Sequence, residues 1–400
     1  MKLFIVSNQG QLNLLELVSY LSDRRIAYRL EASSDWGLIF ETNLDPKILA
    51  KDLGSLIKIG SVKLSLPKNQ LNEFYNKVKG ISFYDHLEDK VYWAISLYEA
   101  EELKPMLEAY FLEKFKEEGI RKQKILKVYR EEPSEVFSSE LERKKVIERG
   151  FEIVGLLADN KYYLGRTLAL IDNKGYYERD FKRPYRESKI SIPPKLARTL
   201  SNLAGANKGK VILDPFCGTG TILQEAMLLG SDVIGVDINE FYVKKAKENL
   251  SWLKSRYKLS SRFRILRDDS RKLSHFLKLE VDGIATEPIL LPTLKKPLSK
   301  DKALNLLKRA ERIYQDALKE FVKIMKDKAK LALVQPYLLL KGGELISFPL
   351  EDYAKSLGLK PYNEVKVKYP LFFKSEKEKR VNRGVWLFTK SDTQSKNKLA

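Results

Sequence analysis

Three aspartates stand at or just beyond the end of an apolar run in this chain. Asp214 follows Val211-Ile212-Leu213, Asp237 closes Asp232–Val236, and Asp269 comes shortly after Arg262–Leu266. If those runs are strands of one parallel sheet, their carboxyl ends open onto the crevice where α/β sheets bind ligands. A carboxylate in the first position suits an ammonium group. One in the second suits a pair of ribose hydroxyls, and one in the third can accept from an adenine amino group. Ammonium, ribose and adenine together describe S-adenosylmethionine.

The first aspartate opens the run Asp214-Pro215-Phe216-Cys217-Gly218-Thr219-Gly220-Thr221. A glycine-rich turn between strand and helix lets backbone approach a nucleotide-like ligand. A dinucleotide fingerprint needs a further glycine at position 223, which is Leu223, and no Gly-Lys-Ser/Thr phosphate loop follows. Pyrophosphate and triphosphate ligands are therefore disfavoured. The cofactor set predicted is Asp214, Pro215, Gly218, Gly220, Thr221, Asp237, Ile238, Asp269 and Ser270. Cys217, inside the loop, reads as a small packing residue rather than a nucleophile. His275 reads as packing rather than as a base.

The elements that must hold these residues follow from periodicity. From Pro194 onward strands alternate with helices, which predicts a doubly wound parallel sheet. The strands are Lys210–Leu213, Asp232–Val236, Arg262–Leu266, Val281–Thr286 and Leu331–Gln335, with a late edge strand at Gly384–Thr389. Helices are expected at Gly220–Leu229, Phe241–Leu250, Arg271–Phe276 and Asp301–Met325. Upstream, Leu3–Val6 and Trp36–Thr42 read as strands. Leu14, Leu17, Val18 and Leu21 fall on one helix face. Asp45–Leu53 and Pro105–Glu118 read as helices, and Ile125–Tyr129 and Phe151–Leu157 as strands, so this half is α+β. Between them, Asn173–Lys189 shows no clean period. Its crowded Arg179, Lys182, Arg183 and Arg186, interleaved with tyrosines, suit either phosphate contact with base stacking or a solvated linker.

Charge narrows the partner. The 400 residues hold 73 Lys and Arg against 53 Asp and Glu, a net charge of +20. Such an excess costs self-repulsion and points to a polyanion, nucleic acid before membrane. A thermophile-like surface of Lys–Glu pairs is the rival account, but paired networks balance. One cysteine and two histidines, His86 and His275, exclude a disulfide and a cysteine-clustered metal site, so no metal is expected. No apolar run is long enough for a membrane span or a secretory leader, which predicts a cytoplasmic protein.

The Asp214–Thr221 run is similar to the cofactor loop of methyltransferases that modify exocyclic nucleobase amines. Arg179-Asp180, Arg183-Pro184, Pro193-Pro194-Lys195-Leu196-Ala197-Arg198 and Asn202-Leu203 resemble, more narrowly, the THUMP-containing tRNA guanosine-N2 methyltransferases acting on guanosine 10. Ser138-Ser139-Glu140-Leu141 and Tyr162–Thr167 resemble that family's THUMP domain. The likeness runs from about Phe4 to Phe388. It implies a ferredoxin-like domain at 1–62, a THUMP domain at 63–170, a linker at 171–190, a Rossmann-like methyltransferase domain at 191–390 and a disordered tail at 391–400. It further implies S-adenosylmethionine as cofactor and tRNA as partner; a small activator subunit stays open.

After the fourth strand that family carries Asp or Asn, then Pro-Pro and an aromatic. Here the residues are Glu287-Pro288-Ile289-Leu290. Glu287 and the Pro288 carbonyl are the expected catalytic acceptors for the amine hydrogens. Glu287 is one methylene longer than Asp, and Ile289 lacks a stacking face. Two alternatives to a working enzyme of this family stand: a tRNA-binding protein without catalysis, and a DNA amino-methyltransferase. Lys295 to Lys330 holds twelve Lys/Arg against five Asp/Glu. With Lys195, Arg198, Arg380 and Arg383, its Lys295 and Lys296 complete the RNA-contacting set, beside Arg179, Lys182, Arg183 and Arg186.

Overall fold

The computed structural model describes residues 1–84, 90–128, 133–187, 191–288, 291, 294, 297–374 and 381–391. These fall into two compact units, one of residues 1–14 and 25–173, the other of 15–24 and 174 onward.

The first unit is built on one mixed sheet. Its strands are β1 (Lys2–Val6), β2 (Tyr28–Ser34), β3 (Gly37–Thr42), β4 (Lys58–Pro67), β5 (Lys90–Tyr98), β6 (Lys122–Ile125), β7 (Gly150–Ala158) and β8 (Lys161–Leu170). They lie in the order β2-β3-β1-β4-β8-β7-β5-β6. The boundary expected at residue 62 therefore falls inside β4. Residues 1–62 and 63–170 share a sheet, because β4 pairs β1 on one side and β8 on the other. Helix Lys104–Glu117 buries Leu107, Phe111 and Phe115 at helical spacing. Phe111 and Phe115 pack within ring-contact distance of Trp93 and Phe151, an aromatic core that anchors β5 and β7.

The second unit carries β9 (Val211–Asp214), β10 (Asp232–Asp237), β11 (Phe263–Arg267), β12 (Val281–Thr286), β13 (Met325–Leu339), β14 (Leu345–Ile346), β15 (Leu359–Pro361), β16 (Leu371–Phe372) and β17 (Val381–Lys390). The order is β11-β10-β9-β12-β13-β17-β15. The first five are parallel and β17 runs antiparallel to β13. The order reverses between β9 and β12, the switch point at which open α/β sheets bind ligands. Helix Lys300–Ile324 buries Ala303, Leu307, Ala310, Tyr314, Ala317, Leu318 and Phe321 as one stripe. β13 runs beyond the expected Gln335, since β17 pairs it from Lys330 to Leu338.

The connection expected at 171–190 is not structureless. Asn173–Phe181 is a helix with Tyr176 and Arg179 buried. Three residues apart, they stack, the Arg179 guanidinium lying 4.4 Å from the Tyr176 ring centre. Tyr129, Ile289, Leu290, Lys295, Lys296, Arg380 and the tail from 392 lie outside the described residues.

Candidate cofactor and acceptor site

The four strand ends at the switch point are tied together by the residues the sequence singled out. β9 ends at Asp214, and Pro215–Gly220 turns into helix Thr221–Leu228. Gly218 and Gly220 have φ of +48° and +85°, a region that disfavours a side chain. The Gly218 amide donates to Asp237 Oδ2 at 3.0 Å, joining the turn to β10. The Ser270 hydroxyl donates to the Pro215 carbonyl, joining it to the segment after β11. The Thr286 hydroxyl donates to Asp214 Oδ1, joining it to β12. Cys217 is buried, its amide bonded to the Val236 carbonyl at 2.9 Å, and burial pushes its thiol up. That suits packing and not nucleophilic attack. His275 is exposed instead of packed.

Asp214 is only 2 % exposed, and burial pushes its carboxyl up to about 7, partly opposed by the Thr286 hydroxyl and the Phe216 amide. Burial also raises Asp237, against bonds from the Asn239 and Gly218 amides. Among the described residues neither carboxylate makes an ion pair. Both are acceptors short of a counter-charge, the condition under which an ammonium or hydroxyl ligand gains most. Asp269 differs. The Arg271 side chain hydrogen-bonds both its oxygens and holds it below the usual carboxylate range.

A cleft of about 830 Å³ opens over these ends, lined by Gly218, Asp237, Ile238, Asp269, Ser270, Glu287 and Pro288, among others. A narrower recess of about 80 Å³ is lined by Asp214, Gly218, Thr221, Glu187 and Glu287. The two share Phe216, Gly218, Tyr242 and Glu287. The residues thus fit an elongated nucleoside bearing a cationic tail: the ionisable carboxylate in the recess, hydroxyl acceptors in the cleft, and aromatic Phe216 and Tyr242 between. Pro215 and Gly220 shape the turn and line neither space.

Sequence reasoning missed Glu187, Tyr242, Arg309 and Arg312. The two arginines are exposed residues of helix Lys300–Ile324 and line the cleft wall. Their signal was the basic run from Lys295 to Lys330, which contains them but does not single them out from its other cations.

Glu287 follows the last residue of β12 and is 10 % exposed. It is engaged by Arg383, whose Nε donates to Oε1 at 2.6 Å and Nη2 to Oε2 at 3.3 Å. Arg383 is therefore not an RNA-facing cation. Three more of that set are corrected in the same way. Arg179 and Arg198, 4 % and 3 % exposed, both bond to the buried Glu225, at 2.7 and 2.8 Å. Arg183, 5 % exposed, donates to Thr221 Oγ1 at 2.7 Å and Gln224 Oε1 at 3.2 Å. A buried guanidinium needs such partners, and at this burial these side chains offer no surface to a phosphate. Lys182 and Arg186 are exposed and Lys195 is half-buried. Arg186 pairs with Asp180 at 2.9 Å and lies over Phe181, which stacks on Tyr177 at 4.8 Å.

The strand order and the carboxylate cleft define a Rossmann-like methyltransferase fold. Structures similar over nearly the whole chain support it. One is TrmN from Thermus thermophilus, with TM-score 0.54 and 18 % identity, covering 97 % of this chain and 99 % of that one. Another is a possible methylase from Clostridium difficile 630, with TM-score 0.53 and 15 % identity, covering 98 % of each. Residues 183–337 match the RMKL-like methyltransferase domain family and residues 55–248 a DNA methylase family. Among curated proteins, the chain is 41 % identical over 134 residues to a tRNA (guanine(10)-N2)-dimethyltransferase of Methanothermobacter thermautotrophicus, covering 33 % of this chain and 38 % of the relative. It is 28 % identical over 196 residues to the protein of that name from Pyrococcus abyssi, covering 49 % and 55 %. A tRNA (guanine(6)-N2)-methyltransferase of Thermus thermophilus is 37 % identical over 121 residues, covering 28 % and 33 %. The chain thus matches only about a third to a half of these relatives' lengths. Among the described residues no helix is long and apolar enough to cross a membrane.

Proposed function

We propose that this chain transfers a methyl group from S-adenosylmethionine to the exocyclic N2 of a guanosine in tRNA, in the cytoplasm. Guanosine 10 is the position named for two of the relatives above. The observation that carries the reading is the buried carboxylate of Asp214, without an ion pair among the described residues, beside a cleft whose next strand ends present Asp237 and Asp269. Asp214 would hold the cofactor ammonium, Asp237 with the Ile238 lip its ribose, and Asp269 with Ser270 its adenine end. Asp269 would do so while still bonded to Arg271.

S-adenosylmethionine supplies an already activated methyl group, so the protein's work is positioning. The guanine amine delocalises its lone pair into the ring. Glu287 and the Pro288 carbonyl would accept its two hydrogens and aim the nitrogen into the cleft. Helical RNA hides its bases, so the target must be single-stranded or flipped. Exposed Arg309, Arg312, Lys182 and Arg186 would meet phosphates, and the first unit, in the THUMP position, would select the tRNA.

Nucleoside mass spectrometry of tRNA from cells with and without the gene tests this. Loss of N2-methylguanosine supports it, and an unchanged nucleoside profile sinks it. The lack of a second proline and of an aromatic after Glu287-Pro288 favours a second reading, a tRNA-binding protein whose site no longer reacts. That reading calls for cofactor and tRNA binding without turnover. The DNA methylase match over 55–248 keeps a DNA substrate in play, which competition between duplex DNA and tRNA decides.

A further inference from the structure

Glu287 stands just past β12, while Arg383 belongs to β17, two strands away across β13. In the ladder Arg383 faces Pro336 of β13, and Thr286, just before Glu287, pairs Leu333 of the same strand, so the Arg383 side chain spans β13 to meet Glu287. The two side chains are 9 % and 10 % exposed, and the contact is a two-point fork. Forked guanidinium–carboxylate contacts fix direction as well as distance. An aspartate at 287 would hold its carboxylate about 1.5 Å farther from β17, one carbon–carbon bond. The longer side chain and the arginine therefore make sense as one unit.

Resting on the methyl-transfer reading, we propose that Arg383 is a positioning residue: it clamps the Glu287 carboxylate so that its free lone pairs face the cleft as a fixed acceptor for the substrate amine. A carboxylate has about four lone-pair sites. Arg383 uses two, one on each oxygen, and leaves one on each for a ligand. Glu287 also lines both the recess and the cleft, so an acceptor fixed there serves a base entering beside the cofactor. Without the clamp, the three torsions of the glutamate would let the acceptor wander.

The test uses the full chain in single-turnover methylation of tRNA. Arg383→Ala is expected to lower turnover about thirtyfold or more while cofactor Kd and tRNA KM stay within about twofold. Added guanidinium, but not ammonium, should recover several-fold of the loss, and Arg383→Lys should fall between. An Arg383→Ala variant within threefold of wild type, or a loss that guanidinium leaves untouched, overturns the proposal. A second measurement is independent of methylation: carbodiimide labelling of Glu287, read by peptide mass spectrometry. The clamp predicts protection in wild type, labelling in Arg383→Ala, and renewed protection with guanidinium. If wild type methylates no tRNA yet shows this pattern, the clamp stands and the methyl-transfer reading falls. If Glu287 labels equally in both proteins, the clamp itself falls.

Discussion

The Thr286 hydroxyl donates a 2.8 Å hydrogen bond to Asp214 Oδ1, linking the ends of β12 and β9 where the strand order reverses. The same carboxylate accepts from the Phe216 amide at 3.1 Å and meets no cation among the described residues. Its ionisation is thus coupled both to the fold and to any cationic ligand.

That coupling gives opposite pH trends for stability and for binding. The folded carboxyl sits at about 7 against roughly 3.9 in an unfolded chain, so between those values the native state holds the extra proton. Asp214's contribution to stability is full below about pH 4 and is lost as pH rises through 7. An ammonium ligand needs the ionised form, so cofactor affinity should rise towards pH 7 and level off above it. Calorimetry between pH 5.5 and 8.5 checks this. Thr286→Val should move the rise to higher pH and Asp214→Asn should flatten it. A pH-independent wild-type affinity would remove Asp214 from the site.

Asp237 is already held by two backbone amides, so its removal should affect the ligand more than the turn. Asp237→Ala is expected to weaken S-adenosylmethionine by about 1.5–3 kcal/mol, the loss of a charge-assisted acceptor. Absence of wild-type binding at millimolar cofactor would end the methyltransferase reading.

Glu225 carries two buried guanidiniums, Arg179 and Arg198. Glu225→Gln keeps the volume and leaves both cations short of charge, which should cost about 3–5 kcal/mol in urea unfolding. Neutralising all three residues together should cost much less than the single change. A Glu225→Gln protein as stable as wild type would show that water reaches the cluster.

tRNA affinity should fall steeply with salt, with a log–log slope that loses about one unit for each phosphate-contacting arginine removed. Arg309→Ala and Arg312→Ala test the cleft wall. Arg198→Ala should leave the slope unchanged, because Arg198 is committed to Glu225. Tyr177→Ala, which removes an exposed ring stacked on Phe181, should weaken tRNA without changing the slope.

Glu287→Ala should cut methylation about a hundredfold with little change in either ligand's affinity, since one preorganised acceptor is worth a few kcal/mol. Glu287→Gln keeps an acceptor oxygen and should retain more. Single-turnover assays rank the three proteins, and a fully active Ala variant would place the acceptor elsewhere.

The sequence by itself determined the residues at the ends of β9 to β12. At each a carboxylate comes at or just after an apolar strand run, and at β9 a glycine turn follows it, so their placement is legible in local order. It determined less of the first unit. β4, β5 and β8 draw their place from neighbours on both sides, so the break expected at residue 62 vanished into a continuous sheet. What only the tertiary structure decided is which charges are available. Arg179, Arg183, Arg198 and Arg383 read as cations for RNA because a sequence shows a charge but not its partner. Glu225 lies 46 residues from Arg179, and Glu287 lies 96 from Arg383. Burial made those pairings obligatory, and only the packed sheet and helices could bring them together.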